Sequence, residues 1–174
     1  MLAQPSRRGH DQDVGGEDAG AHRRPVVALA LAAAPLETPE EDVAAAIDAL
    51  HAAAARADGP AYFALFTPDA RFIGTDATER WTLAEFRAYA EPYFARGQGW
   101  TYTPVERNVT IAPIQCLCVA WFDEVLDSQS YGVTRGSGVL RKTRDGWKIE
   151  QYVLSFAVPN ARADAVVAAI RAAD

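Results

Sequence analysis

Apolar and polar positions change their spacing along this chain, and the changes mark out its elements. From Thr38 the spacing is helical. Val43, Ala46, Ile47, Leu50 and Ala54 recur behind Thr38-Pro39-Glu40-Glu41, a capping box with Pro at the first helical position, which predicts a helix to about Ala57. Asp58-Gly59-Pro60 interrupts it, and 61–66 reads as a short second helix rich in aromatic residues. Residues 71–75 read as a strand ending in a polar turn, Asp76 to Arg80. Thr82 and Glu85 then form another capping box, with Trp81 and Phe86 at the positions of a hydrophobic staple, so a third helix is expected to about Arg96, kinked near Pro92. Beyond Trp100 the spacing becomes that of strands, over 100–112, 117–126, 131–142 and 147–158. Asn160 caps a tail helix whose stripe is Ala163, Val166, Val167 and Ile170.

The turns between the last three strands predict which residues face a common interior. A two-residue loop at Asp145-Gly146 sets Leu140 opposite Gln151, Gly138 opposite Val153 and Gly136 opposite Ser155. A four-residue loop over 127–130 sets Asp123 opposite Thr134 and Trp121 opposite Gly136. One face then carries Trp121, Asp123, Thr134, Gln151 and Ser155. It is assigned to the inside because Gly132, Gly136 and Gly138 leave room there. The other face carries Phe122, Glu124, Arg135, Arg141, Glu150, Tyr152, Leu154 and Phe156, with Arg141 and Glu150 as a charge pair. Its apolar end, Tyr152, Leu154 and Phe156, is expected to form a homodimer contact.

Composition narrows the class. A chain of 174 residues, 49% apolar, can bury one substantial core, so 38–174 is expected to be one domain. The net charge of −6 and the lack of a Lys/Arg cluster in that domain argue against nucleic acid and anionic membrane surfaces as partners. Residues 1–37 differ. A polar lead expected to be disordered precedes Arg23-Arg24-Pro25 and the apolar run 26–34, which resembles a secretory signal and leaves an exported and a cytoplasmic protein both open. Cys116 and Cys118, two apart on a strand, are expected to point the same way as buried, unbonded thiols. Neither a metal-ligand spacing nor a phosphate loop nor a nucleophile elbow is present, so no metal and no cofactor is expected.

The element order fits an α+β fold in which a strongly curved antiparallel sheet wraps over three helices, a cone with one open mouth, followed by a C-terminal helix. The segments FIGTDATERWTLAEF (72–86), AWFDE, GSGVL and GWKIEQYVLSFAVPN resemble the SnoaL-like branch of the nuclear transport factor 2-like superfamily, whose fold is also described as cystatin-like. The resemblance covers about 38–160. It implies the cone but not one activity, since the superfamily includes polyketide cyclases, steroid isomerases, dehydratases and scaffold proteins.

Asp123, between Trp121 and Val125 on the presumed inner face, is the candidate catalytic acid or base; its alternative role is to fasten the sheet through Thr134. Members of the family that cyclise or isomerise carbonyl compounds resemble this in using one carboxylate. Trp121, Thr134, Gln151 and Ser155 form the candidate substrate-binding lining, although many similar sequences hold His where Gln151 stands. Asp76 and Trp81, near the mouth, complete the set; a turn role for Asp76 and a staple role for Trp81 compete with binding. His51 is read as a side chain tucked at the edge of the first helix, and Arg135 as an outward surface cation. The expected function is a cyclase, isomerase or dehydratase acting on a small hydrophobic molecule. The alternatives are a binding domain without turnover and a structural homodimer.

Overall fold

The computed structural model describes residues 38–173, so the polar lead and the signal-like run 26–34 lie outside the described residues. Local signals fix the helices. Helix α1, Pro39–Ala55, starts at Thr38, whose side chain accepts from the Glu41 amide while Glu41 accepts from the Thr38 amide. It ends where Ala57 takes a left-handed φ of 55°. Helix α2, Gly59–Phe63, is capped by Asp58, and α3, Leu83–Phe94, carries the second capping box and Pro92.

Six strands form one sheet: β1 Phe66–Ile73, β2 Arg80–Thr82, β3 Thr103–Ile111, β4 Val119–Ser128, β5 Gly132–Thr143 and β6 Gly146–Phe156. Their order is β2-β1-β6-β5-β4-β3, antiparallel except where β1 runs parallel to β6. The inner face packs on α1, α2 and α3. Ile47, Leu126, Leu140 and Ile149 are all fully buried there, each stabilising the fold by roughly 1.5–3 kcal/mol relative to exposure. Asn160–Arg162 forms a single 3-10 turn, and α4, Ala163–Ala173, follows with its Val166, Val167 and Ile170 stripe exposed.

Two local features reverse the expected faces of β4 and β6. Strands β4 and β5 are joined by a three-residue loop, with Ser128 opposite Gly132, and Gly132 supplies the left-handed φ of 65°. The register therefore differs by three residues from the expected one. An odd shift sends every β4 side chain to the other face. Glu124 lies opposite Gly136 and Phe122 opposite Gly138, both pointing inward, while Trp121 and Asp123 point outward. Between β5 and β6 the loop is Arg144-Asp145, with Gly146 at φ 91°. A bulge at Glu150 then inserts one extra residue between the pairs Leu140–Ile149 and Val139–Gln151. Beyond the bulge the alternation inverts, so Tyr152 and Leu154 face the core and Gln151 and Ser155 face outward. Tyr152 and Leu154 are buried and cannot form the dimer contact expected of them. The Arg141–Glu150 ion pair is present on the surface.

The cysteines also depart from expectation. Cys116 and Cys118 lie in the loop between β3 and β4, not on a strand, and they are disulfide-bonded. Leu117 between them has a left-handed φ of 46°, which breaks strand alternation and brings the two Cα atoms to 5.1 Å.

Candidate functional site

A cavity of about 150 Å³ lies between the helices and the inner face of the sheet. Aromatic rings make most of its wall. Phe72 stacks on Phe86 with centroids 3.8 Å apart, Trp81 stacks on Phe86 at 5.6 Å and on Tyr89 at 5.0 Å, and all four rings line the space. Tyr89 and Tyr131 lie toward solvent, Glu79 is half-buried, and Tyr62, His51 and Tyr152 lie deep.

Behind His51 and Tyr152 stands Glu124, which is fully buried. Its Oε1 is 2.8 Å from His51 Nε2 and accepts from the Tyr152 hydroxyl at 3.3 Å, while its Oε2 accepts from Arg107 Nε at 2.9 Å. Arg107 in turn donates through Nη1 to Asp48 Oδ1 at 2.7 Å and to the Ala44 carbonyl at 3.2 Å. Helical spacing on α1 aligns Ala44, Asp48 and His51 on the side facing the sheet. Strand β3 sets Arg107 directly opposite Glu124. Glycine at 136 is needed by close approach: a Cβ there would lie 2.6 Å from the Tyr152 hydroxyl and 2.7 Å from Glu124 Oε1.

The electrostatics follow from this geometry. Burial opposes ionisation of Glu124, but the hydrogen bond and charge of His51 and the Arg107 guanidinium outweigh it, holding the carboxyl below its ordinary value. For Arg107, burial works against the charge, and the hydrogen bond to Asp48 with the charge of Glu124 overcomes it, so its pKa is raised. Burial, then the neighbouring Glu124 charge, pushes Tyr152 well above the usual phenol value, and burial first pushes Tyr102 up to about 12. Both rings therefore remain neutral hydrogen-bond donors.

A carboxylate only accepts, so the neutral imidazole of His51 gives its Nε2 proton to Glu124 and keeps Nδ1 as the basic nitrogen. Such an arrangement can take a proton from a bound molecule and return it, with the Tyr152 hydroxyl bonded to the same carboxylate.

The structure redistributes the residues expected to form the site. Asp123 is about half exposed, with Asn108 Nδ2 at 3.3 Å and Arg135 Nη1 at 3.6 Å, outside the cavity. Trp121 is 45% exposed on the same outer face, and Gln151 and Ser155 also lie there. Thr134 is on the inner face and fully buried, but it does not line the cavity. Asp76 accepts from the Thr78 amide and hydroxyl, at 2.8 Å and 2.5 Å, as a turn residue. Its hydrogen bonds to Thr78 hold its carboxyl below the ordinary value. Trp81 does line the cavity, while also making the staple contact with Phe86.

Of the residues that meet here, His51 is expected from the sequence only as a helix-edge side chain, Glu124 and Tyr152 are expected on the outer face, and Arg107 is assigned no role. One signal was available: in Ala120-x-Phe122-x-Glu124-x-Leu126, a lone acid interrupts an apolar alternation, which marks a buried carboxylate awaiting partners. Among the described residues, no group of three or more His, Cys, Asp or Glu is placed to hold a metal ion.

Solved structures share this architecture at low identity. A candidate dehydratase of the nuclear transport factor 2-like family from Streptomyces avermitilis matches with a TM-score of 0.58 at 17% identity, over 69% of this chain and 96% of that one. A domain of unknown function with a cystatin-like fold from Nostoc punctiforme matches with a TM-score of 0.57 at 19% identity, over 75% of this chain and 85% of that one. A candidate aromatic ring hydroxylase from Novosphingobium aromaticivorans matches with a TM-score of 0.52 at 21% identity, over 71% and 94%. No curated protein matches the chain. The sequence model of the SnoaL-like domain matches residues 43–159, most of the chain, and with the cone and its cavity in place the chain belongs to the SnoaL-like domain family.

Proposed function

We propose that this domain transfers a proton on a small apolar carbonyl compound held in the aromatic cavity, with His51 as the acid and base. One observation carries the reading: two groups at the deep end of the cavity, His51 and Tyr152, both bond a single buried carboxylate, Glu124. Glu124 fixes the tautomer and orientation of the imidazole, and Arg107 keeps Glu124 ionised. Tyr152, which gives its one hydroxyl proton to Glu124, helps His51 and Arg107 hold that carboxylate in place. Isomerisation, cyclisation and dehydration next to a carbonyl all begin with such a transfer, and one similar fold is described as a candidate dehydratase. Ligand-observed NMR on a panel of small aromatic ketones tests the binding half. Binding to the wild type that is lost in Leu154→Trp, which fills the cavity, supports the reading. Binding unchanged by that substitution removes it.

We also propose a homodimer through the outer sheet face. Trp121 and Val133, 45% and 53% exposed, with half-buried Val125, Val139 and Val153, form an apolar area around the Asp123–Arg135 pair. A stable interface buries about 800 Å² per partner, an area that a sheet face can supply. Trp121→Arg should convert a dimer to a monomer by light scattering; a wild type that is already monomeric contradicts this proposal alone.

A further inference from the structure

We infer that Cys116 and Cys118 form a thiol–disulfide exchange site that reacts with a dithiol protein. The bond closes a ring of only three residues. Cross-links restrict the unfolded chain less as the loop they close becomes shorter, so this one adds little to the fold. It is also redundant for joining β3 to β4. The two strands pair along Thr103–Ile111, and beyond that the Ala112 amide donates to the Val119 carbonyl at 2.8 Å. The two cysteines are the only ones in the chain, so the bond cannot reshuffle internally.

What the bond does have is access. Cys116 is exposed on the loop, flanked by Ile114 and Leu117, which are 45% and 53% exposed. Cys118 is half-buried, and its carbonyl accepts from the Lys142 amide at 2.8 Å, which ties it to β5. The two sulfurs therefore have different roles. A partner thiolate reaches Cys116 Sγ, the Cys116–Cys118 bond breaks, and Cys118 leaves as a thiolate that takes up a proton. The partner's second thiolate then attacks its own sulfur in the mixed disulfide and releases Cys116 as a thiolate. Two electrons pass from the partner, which ends as a disulfide, to this chain, which ends as a dithiol. Exposed disulfides are the labile ones. Leu117, inside the ring, takes a left-handed φ of 46°, and its amide donates to the Ile114 carbonyl at 3.0 Å. Ile114 and Leu117 offer an apolar shoulder for the partner. The site is separate from the cavity, none of whose lining residues belongs to the loop 112–118.

The test uses the oxidised full chain, reduced thioredoxin as the dithiol probe and glutathione at equal thiol concentration. Free thiols are trapped with a maleimide and counted by intact mass. The native chain should gain two thiols, about 10-fold faster from thioredoxin than from glutathione, with its circular dichroism unchanged. Single-cysteine variants are treated with oxidised glutathione, whose disulfide the free thiolate attacks with release of one glutathione: Cys118→Ser should form this mixed disulfide through Cys116 at least about 10-fold faster than Cys116→Ser does through Cys118. Two free thiols in the native chain after treatment with oxidised glutathione would overturn the inference. So would a bond that thioredoxin reduces only after unfolding, or equal trapping by the two variants.

Discussion

Glu124 has no exposed surface and three side-chain partners, so changing it disturbs more than one bond. Glu124→Gln keeps the size but removes the charge facing Arg107. Leaving that guanidinium without its buried counterion should destabilise the fold by about 3 kcal/mol, read by urea denaturation. The pH dependence has a definite sign. The carboxyl of Glu124 is held below its ordinary value of 4.5, so the stability it contributes is complete above that value and is lost as pH falls through the lower folded-state value. The melting temperature should therefore drop on acidification below pH 4.5, and the drop should be shallower in Glu124→Gln. Asp123 makes the opposite case. It is half exposed beside Arg135, so Asp123→Asn should change stability by less than about 0.5 kcal/mol and leave turnover intact. Arg107, by contrast, gave no signal in the chain. An arginine on an exposed-looking strand acquires its meaning only from α1 and β4, both remote in sequence.

At the scale of elements, legibility divides between helices and sheet. Both capping boxes and the staple at Trp81 and Phe86 are written within a few residues of one another, so α1 and α3 could be placed from the chain, whereas α2, expected over 61–66, forms at Gly59–Phe63 because Asp58 caps it, and Phe66 opens β1. The faces of β4 and β6 could not. They depend on one residue of loop length before Gly132 and one extra residue at Glu150, and each inverts a whole row of side chains. Gly136 and Gly138 do lie on the inner face, but they serve close packing, not empty space. A Cβ on Gly138 would meet the Gln151 carbonyl oxygen at 2.1 Å, an atom of the paired backbone that cannot step aside. Gly138→Ala should therefore cost about 2 kcal/mol by thermal or chemical denaturation. Gly136→Ala presses instead on the Tyr152 hydroxyl and Glu124, and its larger effect should be on turnover.

For the whole molecule, the sheet and three helices enclose a small, ring-lined space with the His51–Glu124 pair at its deep end, and the proposed activity depends on that pair being functional. An apolar cavity of this volume holds about one aromatic ring. The most direct measurement uses a probe of that size, 2-indanone, whose protons beside the carbonyl exchange with solvent deuterium only as fast as a base removes them. Exchange is followed by proton NMR in deuterated buffer for the wild type and for His51→Gln, which keeps a polar side chain but no base. The wild type should accelerate exchange saturably, and His51→Gln should lose about 100-fold or more of that acceleration while remaining folded. Equal exchange in the two proteins, with 2-indanone shown to occupy the cavity in both, would contradict the assignment of His51 as the base.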